Sequence, residues 1–160
     1  MRTASASILL ICLLGAGAAH AQSIDTFMHI DGIVGDAQAA GHVNDILLTG
    51  YSQTFAAKTC SRVVATKFID RSSPALISRA ASNLFIPSIV ISVRKTSGPA
   101  VDFFKAVLES VTVEQVNVSG ETGRLAEQVL LRPRNIRIEF RPQDASGQFL
   151  GAIVTNIDCT

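Results

Sequence analysis

Hydrophobic and polar residues alternate with a period of two through most of the chain after its first twenty or so residues. This period places successive side chains on opposite faces of a strand, so it predicts β-strands that are buried on one face. Residues 101–118 also fit a helix by spacing, but their β-branched residues favour a strand. The alternation slips phase near Glu109 and Ser110, which a β-bulge would explain. The predicted strands are 26–31, 43–55, 62–69, 88–94, 101–118, 127–141 and 148–158.

One segment fits a helix instead of a strand. Ser73 is the predicted N-cap, and Pro74 occupies the first helical position, where its missing N–H costs nothing. Asn83 and Pro87 are expected to end the helix. The apolar residues that recur at helical spacing on one face are Leu76, Ile77, Ala80, Ala81 and Leu84.

Turns are predicted at 97–99, 119–126 and 144–147, where Gly, Pro, Asp and Ser cluster. Antiparallel strands with one short helix indicate a mainly β fold. We expect an antiparallel β-barrel or two-sheet sandwich with the helix packed alongside. Within the strands, Met28 and Ile30 should share one face of 26–31, and Phe140 should point inward from 127–141.

The first 21 residues differ in composition from the rest. Arg2 precedes an apolar run over 8–14, and Ala19-His20-Ala21 fits the A-x-A cleavage rule. We predict a signal peptide over 1–21, cleaved between Ala21 and Gln22, and one domain over 22–160. The alternative is a short membrane anchor, although the run is well below the roughly 20 residues that span a bilayer. Cleavage predicts a secreted or periplasmic protein with no membrane contact.

Composition and charge narrow the function classes. Hydrophobic residues make up 48% of the chain and charged residues 17%, which argues against disorder. The 14 basic and 13 acidic residues become equal in number once Arg2 is removed. A neutral chain without aromatic–basic clusters is not expected to bind nucleic acid.

Candidate chemistry is sparse. Cys60 and Cys159 remain after cleavage, and outside the cytoplasm a lone pair of cysteines usually forms a disulfide. Two unpaired thiols are the alternative. His29 and His42 are the candidate bases, but no G-x-S-x-G motif accompanies them, and no ligand spacing repeats. We therefore predict no catalytic residue, no cofactor and no metal site.

The chain after residue 21 resembles the haemolysin-coregulated protein (Hcp) family, the tube proteins of type VI secretion. The stretches that carry this resemblance lie in the family's order over nearly the whole of 22–160. They are DTFMHIDGIVG at 25–35, GHVNDILL at 41–48, FIDRSSPAL at 68–76, IPSIVISVRK at 86–95, VDFFKAVLESVTV at 101–113, and EQVLL with IRIEFRPQDASG within 127–147.

The resemblance implies a two-sheet β-barrel that assembles into hexameric rings, which stack into a tube. Implied partners are further copies of the chain, secreted effectors and other type VI secretion components. The loop at 32–42 would then reach a neighbouring ring through Gly32, Ile33, Val34, Gly35, Gly41 and His42. An export signal and a cysteine pair are not family features. They keep open a second interpretation, a monomeric secreted or periplasmic binding module with the same fold.

Overall fold

The computed structural model describes residues 23–56, 59–96, 100–121 and 123–159. The predicted signal peptide over 1–21, its cleavage site at Ala21 and Gln22, and the turn at 97–99 lie outside the described residues. The elements are β1 (Ile24–Ile30), β2 (Ile46–Leu48), β3 (Gly50–Ala56), β4 (Thr59–Phe68), α1 (Ser73–Ser82), β5 (Ile86–Lys95), β6 (Asp102–Glu121), β7 (Arg124–Arg132), β8 (Asn135–Phe140) and β9 (Ile153–Asp158). The predicted mainly β fold with one short helix is confirmed.

The strands pair antiparallel around the long strand β6, which belongs to two sheets. Its first half lies between β5 and β8, giving a sheet in the order β2-β1-β5-β6-β8-β9, here called the front sheet. Its second half pairs with β7, giving the order β6-β7-β4-β3, here called the back sheet. One strand therefore joins both layers of the fold.

The change of sheet occurs where the alternation was predicted to slip. Ser110 has φ 51°, a left-handed conformation that is uncommon outside glycine. Before it, Ala106 and Leu108 are buried, whereas after it Val111 and Val113 are buried. The predicted phase slip is confirmed, and it lets one strand keep its apolar side chains in the core of both sheets.

The core lies between the two sheets and takes side chains from both. Fully burying one Val, Leu, Ile, Phe or Met side chain stabilises a fold by about 1.5–3 kcal/mol. Met28 and Ile30, which were predicted to share one face of the first strand, are both buried. The largest apolar side chains that are almost fully buried are Phe27, Met28, Ile46, Leu76, Ile89, Ile91, Leu108, Leu131 and Ile136.

The helix buries less than its spacing predicts. Of the expected apolar face, Leu76 is fully buried, but Ile77 and Leu84 are 44% and 53% exposed, and Ala81 is exposed. The prediction of one broad buried face was wrong because α1 packs mainly against a single strand, β6. Asn83 ends the helix with φ 50°, as predicted.

Ser73 is the first helical residue and not the N-cap, so Pro74 occupies the second helical position and not the first as predicted. The Ser73 side chain takes part in a buried polar cluster. The Nζ of Lys67 lies 2.6 Å from Glu127 Oε1, 2.8 Å from Asp70 Oδ1 and 3.0 Å from Ser73 Oγ. Lys67 and Glu127 are both buried. This cluster fixes the start of α1 to β4 and β7, and Ser72 occupies the N-cap position.

Three strand predictions need correction. The region 43–55, which was predicted as one strand, is divided between two strands, β2 and β3. The strand predicted over 127–141 is divided between β7 and β8 at 133–134, where proline lacks the N–H that a ladder needs. Phe140 was predicted to face inward but is 43% exposed, since β8 lies toward the edge of the front sheet.

Of the two predicted turns that the structure describes, one is confirmed and the other is mostly part of a strand pair. The loop expected over 119–126 is mostly paired, since β6 continues to Glu121 and β7 begins at Arg124. The turn at 144–147 is confirmed: the Gly147 N–H donates to Asp144 O at 3.0 Å, and Gly147 has φ 83°. The last strand begins at Ile153 and not at 148.

Candidate functional site

The segment between β1 and β2, residues 31–45, is the longest connection at one edge of the front sheet, and we call it the anchored loop. Its two arms are bonded to each other: Gly35 N–H donates to Asn44 O at 2.8 Å, and Ala37 N–H donates to Asp45 O at 3.0 Å. Gly35 permits this close approach, since a Cβ there would lie 2.4 Å from Asp45 O. The loop is therefore a folded unit.

The residues that the resemblance placed in an assembly loop separate into two groups. Ile33, Gly35 and His42 are buried within the molecule. The other three, Gly32, Val34 and Gly41, are exposed, and the Val34 side chain is the largest of them. The first group can hold the loop in place, and only the second can touch another molecule directly.

A chain of hydrogen bonds links two histidines through one carboxylate. His29 Nδ1 lies 2.7 Å from Asp45 Oδ1, and His42 Nδ1 lies 2.7 Å from Asp45 Oδ2. His42 Nε2 lies 3.0 Å from Asp102 Oδ1. The chain ends at Asp31, whose Oδ1 lies 3.2 Å from His29 Nε2. It thereby ties the anchored loop to β1 and to the start of β6.

The position of His42 explains why the loop stays closed. Both of its ring nitrogens face carboxylate oxygens, so a doubly protonated ring donates to both and a neutral ring donates to one. Its ring stacks on Phe27 with centroids 4.1 Å apart and an angle of 4° between the planes. The Arg94 guanidinium also lies over Phe27, 4.9 Å from the centroid, and donates to Ala40 O at 2.8 Å.

Two groups of this network have shifted pKa values. The hydrogen bond with Asp45 raises the pKa of His29, partial burial opposes this, and Asp31 adds to it. Burial alone would raise the pKa of Asp102, but hydrogen bonds from His42 and Lys105 outweigh burial and lower it. Both shifts favour the charged forms, so the network is held by ion pairs as well as by hydrogen bonds.

Arg71 fixes the arm of the anchored loop that contains Gly35 and Asp36. Arg71, in the turn before α1, donates from Nη2 to Gly35 O at 2.6 Å and from Nε to the Asp36 carboxylate. The buried cluster of Lys67 lies in the same turn region. The loop is thus attached at both arms to elements of the core.

The chemistry of this network does not resemble a hydrolytic site. The histidines share Asp45, but their hydrogen-bond partners among the described residues are carboxylates alone, with no hydroxyl or thiol nucleophile. No cluster of His, Cys, Asp and Glu suited to a metal ion occurs in the described parts of the chain. Nor does any described helix have the length and apolarity needed to cross a bilayer.

The two cysteines connect the two sheets covalently. Cys60 of β4 and Cys159, just after β9, are joined by a disulfide with Cα atoms 5.1 Å apart. The bridge links the edge strand of the front sheet to the back sheet. It closes a segment of 99 residues, which includes α1 and most of the core strands.

Sequence reasoning found the histidines but missed their partners. Asp45 lies in the anchored loop close to His42 in sequence, whereas Asp102 starts β6, and no motif connects the two carboxylates. Arg94, which lies over Phe27 and donates to the loop, comes from β5. One weak signal existed: Arg94 is a charged residue near the end of β5, and Asp102 starts the next strand of the hairpin. Antiparallel register places such residues side by side.

Comparison with known proteins identifies the family. A family model described as "Type VI secretion system effector, Hcp" matches residues 27–140. The Pseudomonas aeruginosa "Protein hcp1" is 33% identical over 85 residues, which cover 51% of this chain and 52% of that protein. The chain therefore spans about half the length of the curated relative that it matches.

Solved structures show the same fold. Hcp1 from Salmonella typhimurium superposes with a TM-score of 0.76 at 26% identity, covering 84% of this chain and 94% of that one. A type VI secretion system effector from Yersinia pestis gives a TM-score of 0.75 at 24% identity, covering 84% and 99%. With a family model that matches well over half of its residues, the chain belongs to the Hcp family of the type VI secretion system.

Proposed function

We propose that this protein is a non-enzymatic Hcp-like tube protein that associates into hexameric rings. The observation that carries the proposal is the family match over 27–140, together with a fold that covers 94% of Salmonella Hcp1. The described site supports it, because the histidine network shapes a loop and presents no nucleophile. The protein then works through surfaces that meet further copies of itself, secreted effectors or other type VI secretion components.

The edge of the front sheet offers a surface for such contacts. β9 pairs with β8 on one side and with no described strand on the other. Ile153 is 64% exposed, and its register partner Phe140 is 43% exposed. An unpaired edge that carries large apolar side chains is typical of a protein interface. A heterologous contact of this kind closes into a ring when the rotation between subunits fits.

Size-exclusion chromatography with light scattering tests this proposal. The purified protein should elute at six times the protomer mass, and Ile153→Lys should shift it to the protomer. Ile77→Lys is the matched control, because Ile77 is also exposed but lies on α1; it should leave the ring intact. A protomer mass for the unaltered protein at high concentration would refute ring assembly.

The disulfide favours a second candidate function, a monomeric secreted or periplasmic binding module that keeps the Hcp fold. A bridge between the edge strand and the back sheet stabilises a single subunit without neighbours. The same light-scattering measurement separates the two functions, since this one requires the protomer mass.

Export through a cleaved signal peptide is the remaining part of the proposal. A disulfide persists in oxidising compartments, which agrees with export from the cytoplasm. Cell fractionation followed by N-terminal sequencing tests it. A protein that starts at Gln22 in the periplasmic or extracellular fraction is expected, and one that starts at Met1 in the cytoplasm would contradict it.

A further inference from the structure

Arg94 is a buried residue that has no anionic partner among the described residues. Arg94 is 8% exposed, and its polar contacts are the carbonyl of Ala40 and the face of the Phe27 ring. Asp25 is its register neighbour on β1, yet among the described residues no carboxylate forms an ion pair with Arg94. Burying a cation without an anion costs free energy. This position therefore favours a negatively charged ligand.

Arg94 lines a cavity of about 280 Å³ that gathers two further basic residues. Arg94 lies near the end of β5, Lys105 lies in β6, and Arg141 follows β8. The register brings them together, because Arg94 pairs with Asp102 at the start of β6, and the Arg141 N–H donates to Phe103 O at 2.8 Å. Three adjacent strands thus direct positive charge to one opening.

One carboxylate lines the same cavity, and its oxygens are already occupied. Asp102 Oδ1 lies 3.0 Å from His42 Nε2, and its Oδ2 lies 3.2 Å from Lys105 Nζ. The Arg141 side chain forms no ion pair within the part of the chain that the structure describes. The cavity therefore holds two guanidinium groups that Asp102 does not neutralise.

We propose that the cavity lined by Arg94, Lys105 and Arg141 binds a compact oxyanion, either a phosphate or a carboxylate. A guanidinium presents a planar fork of N–H donors that matches two oxygens of such a group. Because Arg94 also holds Ala40 O, an anion bound there connects the anchored loop to the end of β8. The oxyanion comes either from a free ion or from an acidic side chain of a second copy of this chain.

Inorganic phosphate is the probe for the free ion. Calorimetric titration at constant ionic strength, with chloride as the reference anion, should show saturable binding. Hydrogen–deuterium exchange of residues 38–43 should slow at the same phosphate concentrations. Arg141→Gln should weaken binding by about tenfold, the loss of one charge-assisted contact. Arg141 is exposed, so this variant keeps its fold even where a change at buried Arg94 would not.

Arg137→Gln is the matched control, because Arg137 is an exposed arginine of β8 outside the cavity. It should change the phosphate affinity by less than about twofold, the size of a screened long-range effect. Equal weakening by both variants would mean that net charge alone attracts phosphate, and it would overturn the proposal.

A carboxylate from a second copy gives a different result. Exchange of residues 38–43 then slows as the protein concentration rises in phosphate-free buffer, and Arg141→Gln removes the effect. The absence of both phosphate binding and concentration-dependent protection would overturn the proposal. Ring assembly is judged separately by mass and by Ile153→Lys, so phosphate binding can fail while rings form, and the reverse.

Discussion

Removing the disulfide should cost this protein a large part of its stability. The bridge between Cys60 and Cys159 closes a segment of 99 residues. On the chain-entropy model, cross-linking a loop of this length removes unfolded-state entropy worth about 4–5 kcal/mol at 25 °C. The Cα separation of 5.1 Å lies within the usual range for unstrained bridges, so the folded state need not distort. The total free energy of unfolding of a domain of this size is about 5–15 kcal/mol.

Urea unfolding followed by circular dichroism measures this loss. Cys60→Ser, Cys159→Ser and the double substitution should each lower the free energy of unfolding by a similar amount, because each breaks the same bridge. Reductant should lower the stability of the unaltered protein and leave the three variants unchanged. Losses that add from the single to the double variant would show that packing of the two side chains, and not the cross-link, supplies the stability.

Three further predictions concern the network and the core. The raised pKa of His29 adds stability that is complete below pH 6.5 and is lost as pH rises through the higher folded-state pKa. His29→Ala should therefore shift the urea midpoint more at pH 6 than at pH 9, and equal shifts would contradict this. Lys67→Met should lower the free energy of unfolding by about 3–5 kcal/mol, since it leaves the buried Glu127 carboxylate without its ion-pair partner. Adding Glu127→Leu should restore much of the lost stability, and no restoration would refute the ion-pair explanation. Gly35→Ala should cost about 1–3 kcal/mol of unfolding free energy by overpacking, whereas Gly151→Ala, with no atom within 4 Å of the new Cβ, should cost little; similar losses in both variants would contradict the overpacking explanation.

Local patterns in the sequence carried most of the fold. Alternation located the strands, and the slip at Ser110 marked the point where β6 changes sheets. The hydrophobic pattern predicted burial wrongly where burial depends on which other element packs against the residue. Ile77 is apolar at a helical position, yet α1 packs mainly against one strand, β6, and leaves Ile77 exposed. Phe140 alternates correctly, yet it is the last residue of β8 and is exposed beside the edge strand β9.

The site was less predictable, because its partners come from different elements. The sequence pattern placed His42 in a loop without indicating that it is buried. No local pattern indicates that Asp45 and Asp102 contact its two ring nitrogens. Such contacts depend on the register of β6 and on the path of the loop. Long-range register is a property of the whole sheet, so a single segment does not reveal it.

The arrangement of the anchored loop separates holding from contacting. Ile33, Gly35 and His42 are buried, so a change at any of them moves the loop before it can affect a partner. Val34 is exposed and takes no part in the network, so a change there tests the proposed partner contact without disturbing the network. A loop whose shape is set by hydrogen bonds between its arms and to the core is preorganised, and preorganisation lowers the entropic cost of association. Under the proposed function, the histidine network contributes to assembly through the shape of the loop and not through chemistry of its own.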